Sequence, residues 1–278
     1  MFKTHNLNGR GVLINAAALV LVLSYALPYL YLVMTALKPA ADVQQIPPSF
    51  FPSVLSFENF REVLQSSTLP KAFVNSLTVA VLTTVLSLSV AVPAAYVATQ
   101  YRGKITTLFL LFALITRMVP TVSLGVPLFQ LLRSMGLLDT VPGLVLAHTS
   151  AAVPLAVLLM TAFFEGVPKE LEEAARMDGC TRFQAFCKIV LPIMTGGIAV
   201  TALFTFITSW NEFLYALLLT SETTKTAPIV IAEYNSVYGL AWGAMTAAAV
   251  LYSLPVIVVT LALQKQIVGG LTMGAVKG

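Results

Sequence analysis

Six stretches of this chain are apolar and almost free of charge, which leaves few folds open to it. Gly11 to Leu37, Ala72 to Tyr101, Thr140 to Phe164 and Tyr234 to Gln264 contain no Asp, Glu, Lys or Arg apart from Glu165 and Arg102 just beyond two of their ends. Ile105 to Leu132 is interrupted only by Arg117, and Ile189 to Ser221 only by Glu212. About 20 apolar residues in helical form cross a bilayer. The pattern therefore predicts an all-α integral membrane protein with six transmembrane helices, near 12–37, 72–99, 105–132, 142–164, 192–219 and 241–264. Composition agrees. Charged residues make up 10% of the chain, against roughly 25% in soluble domains. The first run exceeds the 7–15 apolar residues of a signal peptide and is read as a retained helix.

Positive charge sets the expected orientation. With the N-terminus inside, the cytoplasmic side holds Lys3, Arg10, Arg102, Lys104, Lys169, Arg176, Arg182, Lys188, Lys265 and Lys277. The outer side holds only Lys38, Arg61, Lys71, Arg133 and Lys225. Both termini are thus expected in the cytoplasm: a short N-terminus at 1–11, an external segment at 38–71 and a tail at 265–278. The net charge of +4 follows from this topology and does not argue for nucleic acid. Cys180 and Cys187 fall on the reducing side, so no disulfide is expected. His5 and His148 are too far along the chain to complete a zinc set with them. No metal is expected.

In the external segment, prolines at 47, 48 and 52 forbid an early helix. "SFENFREVL" then reads as a short amphipathic helix with Phe57, Phe60 and Leu64 on one face, capping the outer membrane surface. The spans carry Pro28, Pro93, Pro120, Pro127, Pro154 and Pro255, which lipid tolerates only where neighbours or a wet cavity satisfy the freed carbonyls. Arg117 and Glu212, the charges inside spans, are candidate pathway groups together with Asn211. They either pair with each other, face a water-filled path separately, or serve packing alone.

The chain carries no phosphate-binding G-x-x-x-x-G-K-[ST], no H-E-x-x-H and no G-x-S-x-G. Its chemistry is concentrated in a polar insert between two apolar runs, "VPKELEEAARMDGCTRFQAFCKIVLP", Val167 to Pro192. Pro168 suits a helix start and Gly179 a helix end. Glu170, Glu172 and Glu173 crowd the first turn, where the helix dipole favours them. Leu171, Ala174, Ala175 and Asp178 share a face at helical spacing. Thr181 to Gln184 reads as a capping box opening a second helix, with Phe183, Phe186 and Val190 as its apolar side. A short helix with alanines on its face, braced by a second, suits close docking on another protein.

The segment "EAARMDGCTRFQAFCKIVLPIM" resembles the EAA signature of ABC-importer permeases. Glu173, Ala174, Ala175, Asp178, Gly179, Phe186, Ile189, Leu191 and Pro192 match, with Cys180 at a usually small position. "SWNEFLYALLLT" and the tail "GLTMGAVKG" resemble the carbohydrate branch, in the subunit equivalent to the second permease of maltose and trehalose importers. The resemblance implies a type I importer permease (MetI-like) fold, with one extra helix before a core at 72–264 and a coupling loop at 165–191. It implies a second homologous permease, two ATP-binding subunits and an external sugar-binding protein or lipoprotein as partners. Location in a prokaryotic inner membrane follows. No cofactor is expected in this chain, since ATP would be bound by the partner subunits. Glu173, Ala174, Ala175, Asp178 and Gly179 are then ATPase-coupling residues. Leu271, Thr272, Gly274, Val276 and Lys277 form a second ATPase contact, and residues 221–238 meet the binding protein. The rival reading is a self-powered secondary transporter that uses Arg117 and Glu212 as an ion relay.

Overall fold

The computed structural model describes residues 9–101, 103–236 and 239–275, with side chains described for 11–101, 103–235 and 241–266. Four helices are long and apolar enough to cross a membrane, and two further helix pairs are each bent at a short break. The chain divides into two compact units, residues 1–70 with 231–252, and residues 71–230 with 253–278.

In the first unit, α1 (Gly9–Ala36) is apolar on all sides and exposed along most of its length. Its C-terminal end is closed by the segment that follows. Asn59, at the start of α2 (Glu58–Gln65), donates from its side-chain amide to the carbonyls of Ala36 and Lys38 at 2.9 and 2.8 Å. These are orphan acceptors of a helix end. Lys38 is itself buried, its Nζ donating to the Ser49 carbonyl and lying 5.3 Å from the Tyr31 ring centre. The expected short amphipathic helix is present: Phe57 and Phe60 lie side by side with ring centres 6.4 Å apart, Phe57 and Leu64 are exposed, and Asn59 and Val63 point inward.

The second unit is a helical bundle around α6 (Val141–Phe164), which packs against α4 (Lys104–Met118) and α9 (Thr195–Trp210). Helix α3 (Thr68–Gln100) runs parallel to α6. Val79 shares a core cluster with Leu144, Val145 and Ala147, and twelve residues on Ala91 shares one with Ala156 and Val157. The apolar run at 105–132 is not one straight helix. Pro120 pushes Val119 into extended backbone, and α5 (Thr121–Ser134) leaves at 99° to α4. The fifth run also breaks, after Trp210, before α10 (Leu214–Leu219).

The insert forms α7 (Lys169–Met177) and α8 (Arg182–Ile193), the latter containing a π-turn at Phe186–Val190. Helix α8 meets α9 at a bend of 73°. There Gly197 lets the chain pass close to Phe163, whose Cγ would lie 2.8 Å from any added Cβ. A further helix, α11 (Ala227–Glu233), precedes a short antiparallel pair in which Asn235 faces Leu240 and Ser236 faces Gly239. The last helix, α12 (Trp242–Ala275), carries Leu271, Thr272 and Gly274 on its backbone. Val276 and Lys277 lie outside the described residues.

Candidate functional site

The insert's geometry follows from its helix ends. Gly179 has φ +88°. The N–H of Gly179 donates to Arg176 O at 3.1 Å and that of Cys180 to Ala175 O at 3.0 Å. These are the two bonds of a Schellman motif, with the left-handed residue just past the helix. The next helix opens at once. Gln184 N donates to Thr181 Oγ1 at 3.3 Å, and Thr181 N donates to Gln184 Oε1 at 2.9 Å, completing the capping box. The turn between α7 and α8 is thus fixed by the backbone on one side and by side chains on the other.

Three contacts fasten the insert to the bundle. Glu172 accepts from Tyr96 Oη at 2.8 Å through one carboxylate oxygen and from Gln100 Nε2 at 2.7 Å through the other. The Tyr96 ring lies 4.4 Å from Phe186 and 5.8 Å from Phe164, centre to centre. Such aromatic pairs contribute about 0.5–1.5 kcal/mol each beyond their buried area. Arg182 donates to Tyr101 Oη at 2.7 Å and also lies over its ring. Val190 and Met194 continue the cluster around Met160 and Phe164 into the bundle.

This fastening redistributes the expected docking face. Ala175 is only 7% exposed and faces the protein, so it is not available to a partner. Glu173, Ala174, Asp178 and Gly179 remain exposed. Phe183, expected on the apolar side of α8, is 74% exposed, and Met177 is 87% exposed. The outward side of α7 therefore presents Ala174 and Met177, three residues apart, beside the charges of Glu173 and Asp178. Phe183 instead borders a cleft with Pro93, Val97 and Tyr101.

Arg117 and Glu212 are engaged by different groups. Arg117 Nη1 donates to the Ala151 carbonyl of α6 at 3.2 Å. It lines a cavity of about 530 Å³ with Thr116, Thr121, Thr149, Ser150 and Tyr215. Glu212 accepts from the backbone N–H groups of Tyr215 and Ala216 at 2.8 and 3.1 Å, capping α10. Its Oε2 lies 3.3 Å from His148 Nε2, without the alignment of a hydrogen bond. His148 Nδ1 contacts Ser209 Oγ at 2.8 Å. The expected alternative of an Arg117–Glu212 pair finds no support in these contacts, because each charge is held by nearby backbone. Asn211 is exposed at the turn between α9 and α10.

Residues 88–272 match the protein family described as binding-protein-dependent transport system inner membrane component. The chain belongs to that family. The permease is 38% identical over 260 residues to the probable ABC transporter permease protein y4oR of Sinorhizobium fredii, covering 93% of this chain and 92% of that one. It is also 38% identical over 262 residues to the trehalose transport system permease protein SugB of Mycobacterium tuberculosis, covering 93% and 95%. Its fold matches a bacterial ABC transporter involved in the import of the acidic polysaccharide alginate. The TM-score is 0.77 and the identity 24%, over 96% of this chain and 99% of that one. It is an ABC-importer permease with the type I fold, a multi-pass membrane protein.

One organising residue of the permease is not visible in the sequence. Asp139, in the loop between α5 and α6, has φ +51°. Its carboxylate accepts from Ser221 Oγ at 2.7 Å, Thr223 Oγ1 at 2.6 Å and Thr224 Oγ1 at 2.7 Å, and from the N–H groups of Ser221 and Thr224. Partial burial pushes its pKa up, but these hydrogen bonds outweigh that and hold it well below the usual carboxylate range. Asn75 donates to the carbonyls of Thr223 and Lys225, and Ser76 accepts from Ala227 N. The loop after α10 is thereby pinned at several points. The signal in the sequence is the Ser-x-Thr-Thr run, rich in donors but without a visible acceptor.

Proposed function

We propose that this permease forms half of the translocation pathway of an ATP-driven sugar importer. The substrate is a disaccharide or oligosaccharide, trehalose or another α-glucoside being the specific reading. The resemblance of the relative named for trehalose transport supports that choice. A second, homologous permease supplies the other half, and a sugar-binding protein or lipoprotein outside delivers the substrate. Two ATP-binding subunits bind the nucleotide and hydrolyse it. Both termini lie in the cytoplasm of a prokaryotic cell, and residues 221–238 receive the binding protein.

The observation that carries this reading is the α7–α8 insert. Two short helices with fixed ends expose Ala174 and Met177 on α7, an apolar patch beside Glu173 and Asp178. A solvated loop would need neither the patch nor the double cap. An apolar patch beside charges suits a cleft on a soluble subunit. The last turns of α12, carrying Leu271, Thr272 and Gly274, and the residues Val276 and Lys277 beyond them form a second contact with the ATPase. Arg117 and Asn211 border the path.

Ala174→Trp tests the docking face, because a large side chain there holds the helix away from its cleft. In cells expressing the whole transporter, labelled-trehalose uptake and co-purification of the ATPase should both fall. Full uptake by this variant would overturn the assignment of the insert as the coupling element. Uptake of a different labelled sugar by the wild type, with none of trehalose, would retain the importer and correct the substrate.

A further inference from the structure

We infer that Glu172 is a positioning residue that transmits movement of the docking insert to α3 through Tyr96 and Gln100. The inference rests on the coupling role proposed above and concerns a residue outside the docking patch. Glu172 stands next to Glu173 in sequence, but its carboxylate faces the bundle, where both oxygens are taken. The donors are Tyr96 Oη at 2.8 Å and Gln100 Nε2 at 2.7 Å. Tyr96 and Gln100 are four residues apart on α3, hence on one helix face.

Of the other contacts, Arg182 donates to Tyr101 Oη just past the end of α3, a similar directional bond made from α8. The rings of Tyr96, Phe164 and Phe186 resist approach, but they slide and separate with little directional preference. Two charge-assisted hydrogen bonds of fixed length resist separation as well, and such bonds are the stronger class. A cavity of about 370 Å³ opens beside them, bordered by Thr106, Thr107, Lys169 and Glu172. Packing does not fill this side of the junction, so α3 is drawn by the two hydrogen bonds when the insert moves away. Pushing passes through the rings, and pulling through Glu172 on α3 itself and through the Arg182–Tyr101 hydrogen bond just past its end.

The donor–acceptor pattern supplies a reciprocal test. Glu172→Gln keeps neutral, weaker hydrogen bonds, because either amide can turn its oxygen toward the other's NH2, whereas Gln100→Glu sets two carboxylates against each other. The double variant E172Q/Q100E restores one donor and one acceptor at that contact, while the amide carbonyl introduced at position 172 still accepts from Tyr96. Each variant, with Tyr96→Phe and Ala174→Trp, is expressed with all partner subunits and reconstituted in vesicles. Membrane abundance, ATPase co-purification, trehalose uptake and ATP hydrolysed per sugar moved are measured.

For Gln100→Glu we expect full ATPase co-purification, uptake reduced roughly tenfold and a raised ATP-to-sugar ratio; for Glu172→Gln, which loses only the charge assistance, we expect full co-purification and uptake reduced about threefold. A tenfold change lies within the range by which substitutions along a coupling network act. Tyr96→Phe should fall by about threefold, since one of the two hydrogen bonds is lost while the ring remains. The double variant should recover to within about twofold of wild type, the non-additivity expected of groups in direct contact. Unchanged uptake in the singles, loss of ATPase co-purification in them, or a double variant no better than the worse single would each overturn the inference. Ala174→Trp separates the two levels. If it abolishes uptake while the Glu172 and Gln100 variants follow one of those overturning patterns, only the transmission role falls. If it has no effect, the docking assignment falls first.

Discussion

Replacing Gly179 by valine should uncouple the permease without unfolding it. Gly179 sits at φ +88°, and an added Cβ would meet nothing within 4 Å. The penalty is therefore one of backbone conformation alone. A residue with a Cβ loses roughly 1–2 kcal/mol in the left-handed region, and a β-branched one is worse placed. The chain can escape the strain only by leaving the Schellman motif. That forfeits the bonds from Gly179 N to Arg176 O and from Cys180 N to Ala175 O, each contributing about 1 kcal/mol net. Either route costs about 2 kcal/mol, close to a thirtyfold fall in the ratio of the capped turn to displaced ones. Stabilities of whole proteins are about 5–15 kcal/mol, so the spans should still insert and pack. The measurements are membrane abundance, ATPase co-purification and trehalose uptake for Gly179→Val, Gly179→Ala and Gly179→Asn. Abundance should stay near wild type in all three. Uptake should fall most for valine, less for alanine and least for asparagine, which adopts the left-handed region more readily. Equal uptake across the series would refute the reasoning, and so would a loss of abundance that parallels the loss of uptake.

Asp139→Asn should loosen the loop at Ser221–Thr224, read as faster protease cleavage there in the assembled transporter and weaker capture of the sugar-loaded binding protein. Because hydrogen bonds hold the Asp139 pKa below its ordinary value, the clamp's stabilisation is present above about pH 4 and is lost as pH falls through the lower folded value. Cleavage of the wild type should accordingly be flat from about pH 8 to about pH 5. Glu212→Ala removes the acceptor for Tyr215 N and Ala216 N and should fray α10. Helix-cap losses of this kind cost about 1 kcal/mol, visible as a lower melting temperature in detergent.

Local signals in the sequence carry the insert and tertiary ones do not. The Schellman turn and the capping box are legible because each lies within a few residues: Gly179 after Asp178, and Thr181 three residues before Gln184. Proline marks the break at Val119–Pro120 as clearly as it permits continuous helix at Pro93 and Pro154. Which of the two outcomes follows depends on the neighbours that donate to the freed carbonyls. The inward turn of Ala175 goes with Glu172 meeting Tyr96 and Gln100, more than 70 residues away, and Phe183 borders a cleft with Pro93 and Val97, equally remote in sequence. Asp139 is invisible for the same reason, since its acceptor role appears only where the loop after α10 returns to it. The intramembrane charges mislead in a more specific way. Arg117 and Glu212 resemble a pair when ranked by rarity, but a helix carbonyl and two helix N–H groups satisfy them separately.

The insert has three attachments to the bundle, and they differ in stiffness. The chain enters it through Glu165–Pro168, a short connector after α6, and leaves it through the π-turn of α8 and the 73° bend before α9. Bends and wide turns absorb rotation by small changes of backbone angle, so these covalent links tolerate movement more readily than they transmit it. The link to α3 has no intervening backbone that can flex. It runs from the Glu172 carboxylate in the first turns of α7 to a tyrosine and a glutamine in the last turns of a 33-residue helix. A tilt applied at that end must pass Pro93, where the helix lacks one hydrogen bond, before it meets the α6 core at Ala91 and Val79. From there it reaches Asn75 and Ser76, which hold the loop after α10. One continuous helix thus joins the docking insert at one end to the pinned loop at the other.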